Sequence, residues 1–157
     1  MLLSLMFISR SALAGADAGP SVDNIVAASR RRNLSLDVSG ALVFTGVHFA
    51  QILEGSQDAL CILMARIRSD IRHDCVEVVR QMRIDQRSFR DWSMAYAGPS
   101  THLAARLSPL LLQAKAGPGA PDAVERLAIA MQELGSQSAA QVRHRGFDMV
   151  AGAEIQI

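Results

Sequence analysis

Apolar residues occupy the first hundred positions in short blocks, separated by glycines and polar residues. Five of these blocks have the length and the apolar content of strands: 2–9, 38–44, 47–53, 75–82 and 93–97. Thr45 and Gly46 separate the second block from the third, as in a hairpin turn between apolar flanks. The pattern therefore predicts five strands, of which the second and third form a hairpin.

Two stretches between these strands repeat apolar residues at helical spacing. The first has a candidate N-cap at Ser21 and is predicted to end near Arg32 and Asn33. The second follows a candidate N-cap at Ser56. Its apolar residues follow the i, i+3, i+4, i+7 rule more closely than any others in the chain: Leu60, Leu63, Met64, Ile67 and Ile71.

The predicted element order is β-α-β-β-α-β-β, which matches the ferredoxin-like βαββαβ unit with one strand added. This is an α+β fold in which two helices cover one face of a mixed five-stranded sheet. We assign residues 1–97 to this domain and residues 98–157 to a C-terminal helical extension.

The extension has two apolar helical patches, Leu103 to Leu112 and Ala123 to Leu134, joined by the turn sequence AGPGAP. Pro109 lies inside the first patch, so that helix is expected to begin or kink there. The two helices are expected to pack on the open face of the sheet or on a second copy of the chain. The last twenty residues have weak signals and are predicted to be weakly ordered.

The composition of the 157 residues is that of an ordinary globular protein, half hydrophobic and one fifth charged. Lys and Arg number 16 against 15 Asp and Glu, and this balance disfavours nucleic-acid binding. The run Arg30 to Arg32 is compatible with a small phosphate site or with a solvated helix end. Cys61 and Cys75 have no metal spacing, so they are expected to be reduced, core or near-core residues of a cytoplasmic protein.

The opening stretch MLLSLMFISRSALAGADAGP can be a secretion signal or the first strand of the domain. A signal normally has a basic residue before its apolar run, whereas here Arg10 follows the run. The run is also far too short to cross a bilayer, and no other segment is long and apolar enough to do so. The strand interpretation is therefore favoured, and no membrane association is expected.

Known catalytic motifs are missing from the sequence, which has no GxGxxG, P-loop, GxSxG or HExxH pattern. The four histidines have no metal-ligand spacing, and no metal site is predicted: His48, His73, His102 and His144. Gln51 stands out because it interrupts the apolar strand HFAQILEG, and a buried amide without a partner costs about 1–3 kcal/mol. The sequence leaves open whether Gln51 faces the core or the solvent. Asn33 suits a plain C-cap, and Trp92 and Met94 suit the core.

Together these stretches resemble the BLUF family, flavin-binding domains that sense blue light with FAD. The matching segments occur in the family's order over residues 1 to about 97: the opening strand with ISR, SRRRNLSLDVSGAL, HFAQILEG, RIRSDIRHD and FRDWSMAY. The combination of QILEG, DIRH and DWSM in register is highly specific. SRRRN, and VSG in place of ITG, are mild variants.

The resemblance implies a flavin between the two helices of the domain. Asn33 matches the residue that hydrogen-bonds the isoalloxazine edge, and Gln51 matches the switching amide beside flavin N5 and O4. Ile25 matches a ring-lining residue and Arg30 a basic residue at the helix end. The pair near the ribityl-phosphate side corresponds to Arg72 and His73. The strand residues whose placement relative to the Gln changes with light correspond to Trp92 and Met94.

One position departs from the family. Its opening strand has a Tyr two residues before the Ser, where this sequence has Phe7 before Ser9. In the family that Tyr gives an electron and then a proton to the excited flavin through the Gln. Phe has no hydroxyl, and the single tyrosine, Tyr96, is not an obvious replacement. The change is either a natural loss or an engineered Tyr→Phe substitution.

Two functions from different classes follow. The first is an FAD-binding photoreceptor-type signalling module with an impaired or altered photocycle, where FMN or riboflavin could replace FAD. The second is a flavin-independent interaction module that keeps the fold. No enzyme is expected, so output requires a downstream protein partner or self-association through the C-terminal helices.

Overall fold

In the part of the chain that the structure describes, five strands and four helices form where the apolar blocks predict them. The computed structural model describes residues 1–13, 18–90, 93–115 and 121–134. The elements, in chain order, are β1 (Leu2–Ser11), α1 (Ala18–Ser35), β2 (Ser39–Phe44), β3 (His48–Ser56), α2 (Gln57–Ser69), β4 (His73–Arg83), β5 (Ala95–Ala97), α3 (Thr101–Ala114) and α4 (121–134).

The strands form one mixed sheet in the order β4-β1-β3-β2-β5. All neighbouring strands are antiparallel except β2 and β5, which are parallel. The pairing of β1 with β3 runs unbroken from Leu2↔Ser56 to Arg10↔His48. The pairing of β1 with β4 shifts register twice, between Met6 and Phe7 and between Ile8 and Arg10. The predicted ferredoxin-like α+β fold with an added strand is confirmed.

Strand alternation divides the apolar residues into two cores, one on each face of the sheet. The face toward α1 and α2 buries alternate residues of β1, β2 and β3: Leu3, Leu5, Phe7, Leu42, Phe49 and Leu53. The opposite face buries the residues between them: Met6, Ile8, Ala41, Val43, Ala50 and Ile52. The C-terminal helices cover this second face with Leu107, Leu111, Leu127 and Met131. The extension therefore packs on the open face of the sheet, the first of the two predicted alternatives.

The helix boundaries differ from the predicted ones at the start of α1 and at the end of α2. Helix α1 begins at Ala18 and includes Pro20. The first turn of a helix tolerates proline because a backbone N–H at that position has no partner within the helix, so the missing N–H of proline costs nothing. Helix α2 begins as predicted, with the Ser56 hydroxyl accepting from the Ala59 N–H at 3.2 Å. It ends at Ser69, so Ile71 lies beyond it and is 91% exposed.

Helix α3 runs from Thr101 through Pro109 to Ala114, so the expected start at Pro109 is wrong, while the expected kink at that residue stays a prediction. Its N-cap is Ser100, whose hydroxyl accepts from the Leu103 N–H at 3.0 Å. Strand β5 covers only Ala95–Ala97, shorter than the predicted 93–97. The predicted weak order of the last twenty residues lies outside the described residues.

The expected place of the cysteines in or near the core is wrong, because Cys61 and Cys75 are both exposed, whereas the expected absence of a disulfide between them is confirmed. Cys61 lies on the outer side of α2, whose inner side buries Leu60 and Leu63. Cys75 lies near the start of the edge strand β4, where its φ of 51° marks an irregular position. Among the described residues, no helix is long and apolar enough to cross a membrane.

Two leucines of α3 test the packing of this helix on the sheet. Leu107 is fully buried, whereas Leu112 in the same helix is 59% exposed. We expect Leu107→Ala to lower the free energy of unfolding by about 2–5 kcal/mol, because it leaves a cavity in the second core. Leu112→Ala is the matched control and should cost about 0.5 kcal/mol or less. Urea denaturation measures both, and equal losses would contradict the docking of α3.

Candidate functional site

A small cleft of about 30 Å³ lies between α1 and α2 on the first face of the sheet. Helix α1, the strand β3, helix α2 and the turn after it all contribute to the walls. The lining residues are Ile25, Ala28, Ser29, Arg32, Gln51, Arg66, Ile67, Asp70, Arg72 and His73. Four of the residues singled out by the sequence therefore meet here: Ile25, Gln51, Arg72 and His73.

Gln51 is the buried polar group at the base of this cleft. It lies in the middle strand of the sheet, where Phe7 of β1 and Leu42 of β2 are its cross-strand partners. Its side chain is 5% exposed, and its Nε2 donates to the Met94 thioether sulfur at 3.5 Å. That contact is the amide's only hydrogen bond within the described part of the chain, and a thioether is a weak acceptor. The amide carbonyl therefore stays available to a ligand in the cleft.

Phe7 lies beside Gln51 and is completely buried. Its ring meets His73 edge-on, with 6.3 Å between ring centroids, and Phe49 approaches the same histidine at 4.7 Å. The aromatic ring thus fills the position next to Gln51 without offering it a hydrogen bond, because phenylalanine has no polar atom.

His73 forms the wall of the cleft at the start of β4. Its Nδ1 pairs with the buried Ser9 hydroxyl at 2.8 Å. Burial lowers the pKa of His73 below its usual value; nearby Asp70 opposes this effect and Arg72 adds to it. The imidazole is therefore neutral at pH 7 and can both donate and accept a hydrogen bond.

Three arginines and one aspartate are the charged residues among the described lining of the cleft. Arg32 comes from α1, Arg66 from α2, and Arg72 from the turn that follows. Arg72 Nε donates to Asp70 Oδ1 at 2.8 Å, and this hydrogen bond lowers the pKa of Asp70. With His73 neutral, two positive charges remain in excess among the described lining residues. Arginines in this arrangement suit an anionic group such as a phosphate.

Asn33 and Arg30 do not line the cleft. Asn33 is 1% exposed, and its Nδ2 donates to the Ser93 carbonyl at 2.7 Å. Arg30 Nε donates to the Met94 carbonyl at 3.2 Å. Both side chains of α1 thus hold the segment that leads into β5, and the predicted contact of each with flavin stays a prediction. Trp92 lies outside the described residues, so its predicted role also stays a prediction.

Tyr96 lies in the same cross-strand row as Gln51 but not next to it. Leu42 pairs with Gln51 on one side and with Tyr96 on the other. Two strand spacings of about 4.8 Å therefore separate the backbones of the tyrosine and the glutamine. Burial raises the pKa of Tyr96, and Asp23 adds to the rise, so its phenol is protonated at neutral pH.

Sequence reasoning missed two features of this region. Arg66 lies one residue before Ile67 of the apolar series, at the edge of the buried face of α2, a position from which a long side chain can reach the cleft. Glu54 is a buried carboxylate in β3, 2% exposed. The same signal that singled out Gln51, a polar residue inside an apolar strand, would have found Glu54.

Comparison with known proteins gives one matching family. The family BLUF, described as sensors of blue light using FAD, matches residues 2–95. The photoactivated adenylate cyclase subunit beta of Euglena longa is 35% identical over 74 residues, which are 46% of this chain and 9% of that protein. The blue light- and temperature-regulated antirepressor BluF of Escherichia coli K12 is 34% identical over 73 residues, 46% of this chain and 18% of that protein. The matched segment is thus a small part of both relatives.

Solved structures give the same assignment over more of the chain. The dark-state structure of the BLUF protein BlrB is 35% identical, covering 82% of this chain and 96% of that one, with a TM-score of 0.67. The photo-activated state of BlsA has a TM-score of 0.69 at 22% identity, covering 84% and 95% of the two chains, which is a likeness of fold alone. From the family match over 94 of 157 residues (2–95) and from these likenesses, the chain belongs to the BLUF family of blue-light sensors that use FAD.

Proposed function

We propose that this chain binds FAD in the cleft between α1 and α2 and acts as a blue-light signalling module through protein contacts. The observation that carries the proposal is the buried Gln51 amide at the base of the cleft, bonded only to a weak thioether acceptor among the described residues. A polar group in an apolar strand requires a better partner, and the polar edge of a flavin ring supplies one.

The residues of the cleft fit a flavin nucleotide in two ways. Ile25 of α1 and Ile67 of α2 give apolar walls for a planar ring, and Gln51 gives a donor and an acceptor at its edge. The excess positive charge from Arg32, Arg66 and Arg72 suits the phosphate end. FMN has this phosphate as well, and a structure of Klebsiella pneumoniae BlrP1 was solved with FMN. FAD is the choice that the family description favours.

Gln51 is the element through which light would change the protein. Bound flavin supplies absorption of blue light and, when excited, accepts an electron. An amide has one donor group and one acceptor group, so rotation or tautomerisation exchanges what Gln51 offers to the cleft and to Met94. Because Met94 directly precedes β5, this exchange would bias the position of that strand.

Phe7 would impair or alter this photocycle. The phenylalanine ring is a poor electron donor and has no proton to give, and Tyr96 lies two strands from Gln51. Whether Phe7 is a natural loss or an engineered change, the expected result is a domain that binds flavin without the usual light reaction.

Output would pass to a partner or a second copy through the C-terminal helices. Helices α3 and α4 cover the face of the sheet opposite the cleft and expose Leu112 and Ile129. The Escherichia coli relative is an antirepressor and the Euglena relatives are cyclases, so such domains occur with different effectors. No catalytic role is proposed for this chain.

The first prediction from the proposed function concerns the response to light. We expect the purified chain to be yellow and to release stoichiometric flavin on denaturation, yet to show no persistent red-shifted state after blue light. Phe7→Tyr should gain a reversible red shift, because it restores a hydroxyl beside Gln51. Absorption spectra before and after illumination measure both.

The control for this prediction is Gln51→Leu in the Phe7→Tyr background, which should remove the gained red shift while keeping the flavin. A lasting red shift in the original chain would contradict the assigned role of Phe7 and would indicate another donor such as Trp92. A colourless protein without flavin would instead support a flavin-independent interaction module.

The second prediction concerns the phosphate end of the cofactor. Arg66→Ala should weaken FAD binding by about tenfold or more and change riboflavin binding little, because riboflavin has no phosphate. Arg68→Ala is the matched control, since Arg68 lies two residues away in α2 and lines a different groove, toward β4. Fluorescence titration of the flavin-free chain gives the affinities. An equal loss for riboflavin, or an equal effect of Arg68→Ala, would show that the mouth of the cleft does not bind phosphate.

A further inference from the structure

Glu54 is a buried charged residue on the face of β3 opposite to Gln51. Its side chain is 2% exposed and lies three residues from Gln51 along the same strand. One oxygen, Oε2, accepts from the Ser88 N–H at 2.8 Å and from the Phe89 N–H at 3.1 Å. The Ser39 hydroxyl lies 3.4 Å from the same oxygen. The strand thus carries a carboxylate whose hydrogen bonds reach outside the sheet.

The two N–H groups belong to the connection between β4 and β5. The Phe89 ring is 2% exposed and packs in the core that α3 and α4 cover. One residue before Ser88, Arg87 donates to the Asp37 carbonyl at 2.7 Å. The connection is therefore held at residues 87–89 by contacts to the sheet, to the second core and to the turn before β2.

Strand β5 has little backbone pairing of its own to fix its place. It consists of three residues, each paired with β2 on one side. The residues just before it, Ser93 and Met94, are held through their carbonyls by Asn33 and Arg30. Side chains therefore hold residues 88–89 and residues 93–94, and Glu54 holds the first of these two pairs.

We propose that Glu54 is a positioning residue for the site in the cleft. By holding Ser88 and Phe89 against β3, its carboxylate restricts where Met94, further along the same connection, can lie against Gln51 on the other face of the strand. The importance of this contact for a light response rests on the proposed function. The positioning itself involves only the protein's own residues.

The two converging donors require an acceptor oxygen on a side chain of this length. Two backbone N–H groups converge on one oxygen, and an anionic acceptor binds such donors about twice as strongly as a neutral one. A glutamine carbonyl can occupy the same place and accept from both donors. An aspartate is one methylene shorter and cannot reach both, and an alanine leaves both unpaired.

The experiment compares Glu54→Gln, Glu54→Asp and Glu54→Ala in the full chain labelled with ¹³C-methyl methionine. Met94→Leu assigns the Met94 methyl signal among the seven methionines. We expect Glu54→Ala and Glu54→Asp to shift this signal and to speed hydrogen exchange of the Ser88 and Phe89 amides about tenfold or more. Glu54→Gln should stay close to the original chain in both measurements. Ser39→Ala is the matched control: it removes a buried contact to the same oxygen without touching the connection.

Three outcomes would overturn the proposal. Faster exchange at Ser88 and Phe89 with an unmoved Met94 signal would reduce Glu54 to a local cap of the turn. Unchanged exchange would show that the carboxylate does not hold the connection. A Met94 shift in Ser39→Ala as large as in Glu54→Ala would reflect general repacking. If Glu54→Ala does not fold, Glu54→Asp decides by the same criteria. Flavin content is measured separately, so a flavin-free protein would count against the proposed function and leave this comparison intact.

Discussion

The packing of this domain depends on strand β3, which is buried on both of its faces. As the middle strand of the sheet, β3 has α1 and α2 on one side and α3 and α4 on the other. A polar side chain on such a strand has little access to water, so it favours partners inside the protein or in a ligand. Gln51 and Glu54 are the two side chains that meet this constraint, one on each face. Glu54 meets it with backbone N–H groups, while the amide of Gln51 has only a thioether among the residues that the structure describes.

This difference separates a structural polar group from a functional one. The Glu54 carboxylate has three donors and is part of the fold. The Gln51 amide is poorly matched in a place where an unmatched group is costly, and it borders a cleft whose mouth is positively charged. An incompletely bonded polar group at the base of a cleft is where a ligand gains most from binding. Functional sites are the places where natural proteins most often depart from the packing rules that the rest of the fold follows.

The sequence predicted the fold well because its signals were local. The apolar series of α2 and the N-cap at Ser56 are read within one or two turns, and both are present in the structure. The two faces of β1 also follow from simple alternation. The sequence could not predict contacts between residues that are far apart along the chain. Examples are the approach of Arg66 to the cleft between α1 and α2, and the hydrogen bonds of Glu54 to residues 34 and 35 positions away. The prediction placed Cys61 and Cys75 in or near the core because cysteine is usually buried. Both are exposed, Cys61 because it lies on the outer side of α2 and Cys75 because it lies at an irregular position of β4.

The two register shifts between β1 and β4 have a consequence for how copies of this chain can meet. Strand β4 is an eleven-residue strand at the edge of the sheet, and a long regular edge offers its free N–H and C=O groups to any passing strand. Each shift inserts irregularity into the ladder and adds local twist, and exposed Glu77 and Arg83 add charge along the edge. Both features disfavour extension of the sheet by a second copy across β4 in regular register. Any contact at this edge would then depend on complementary side chains rather than on continued backbone pairing.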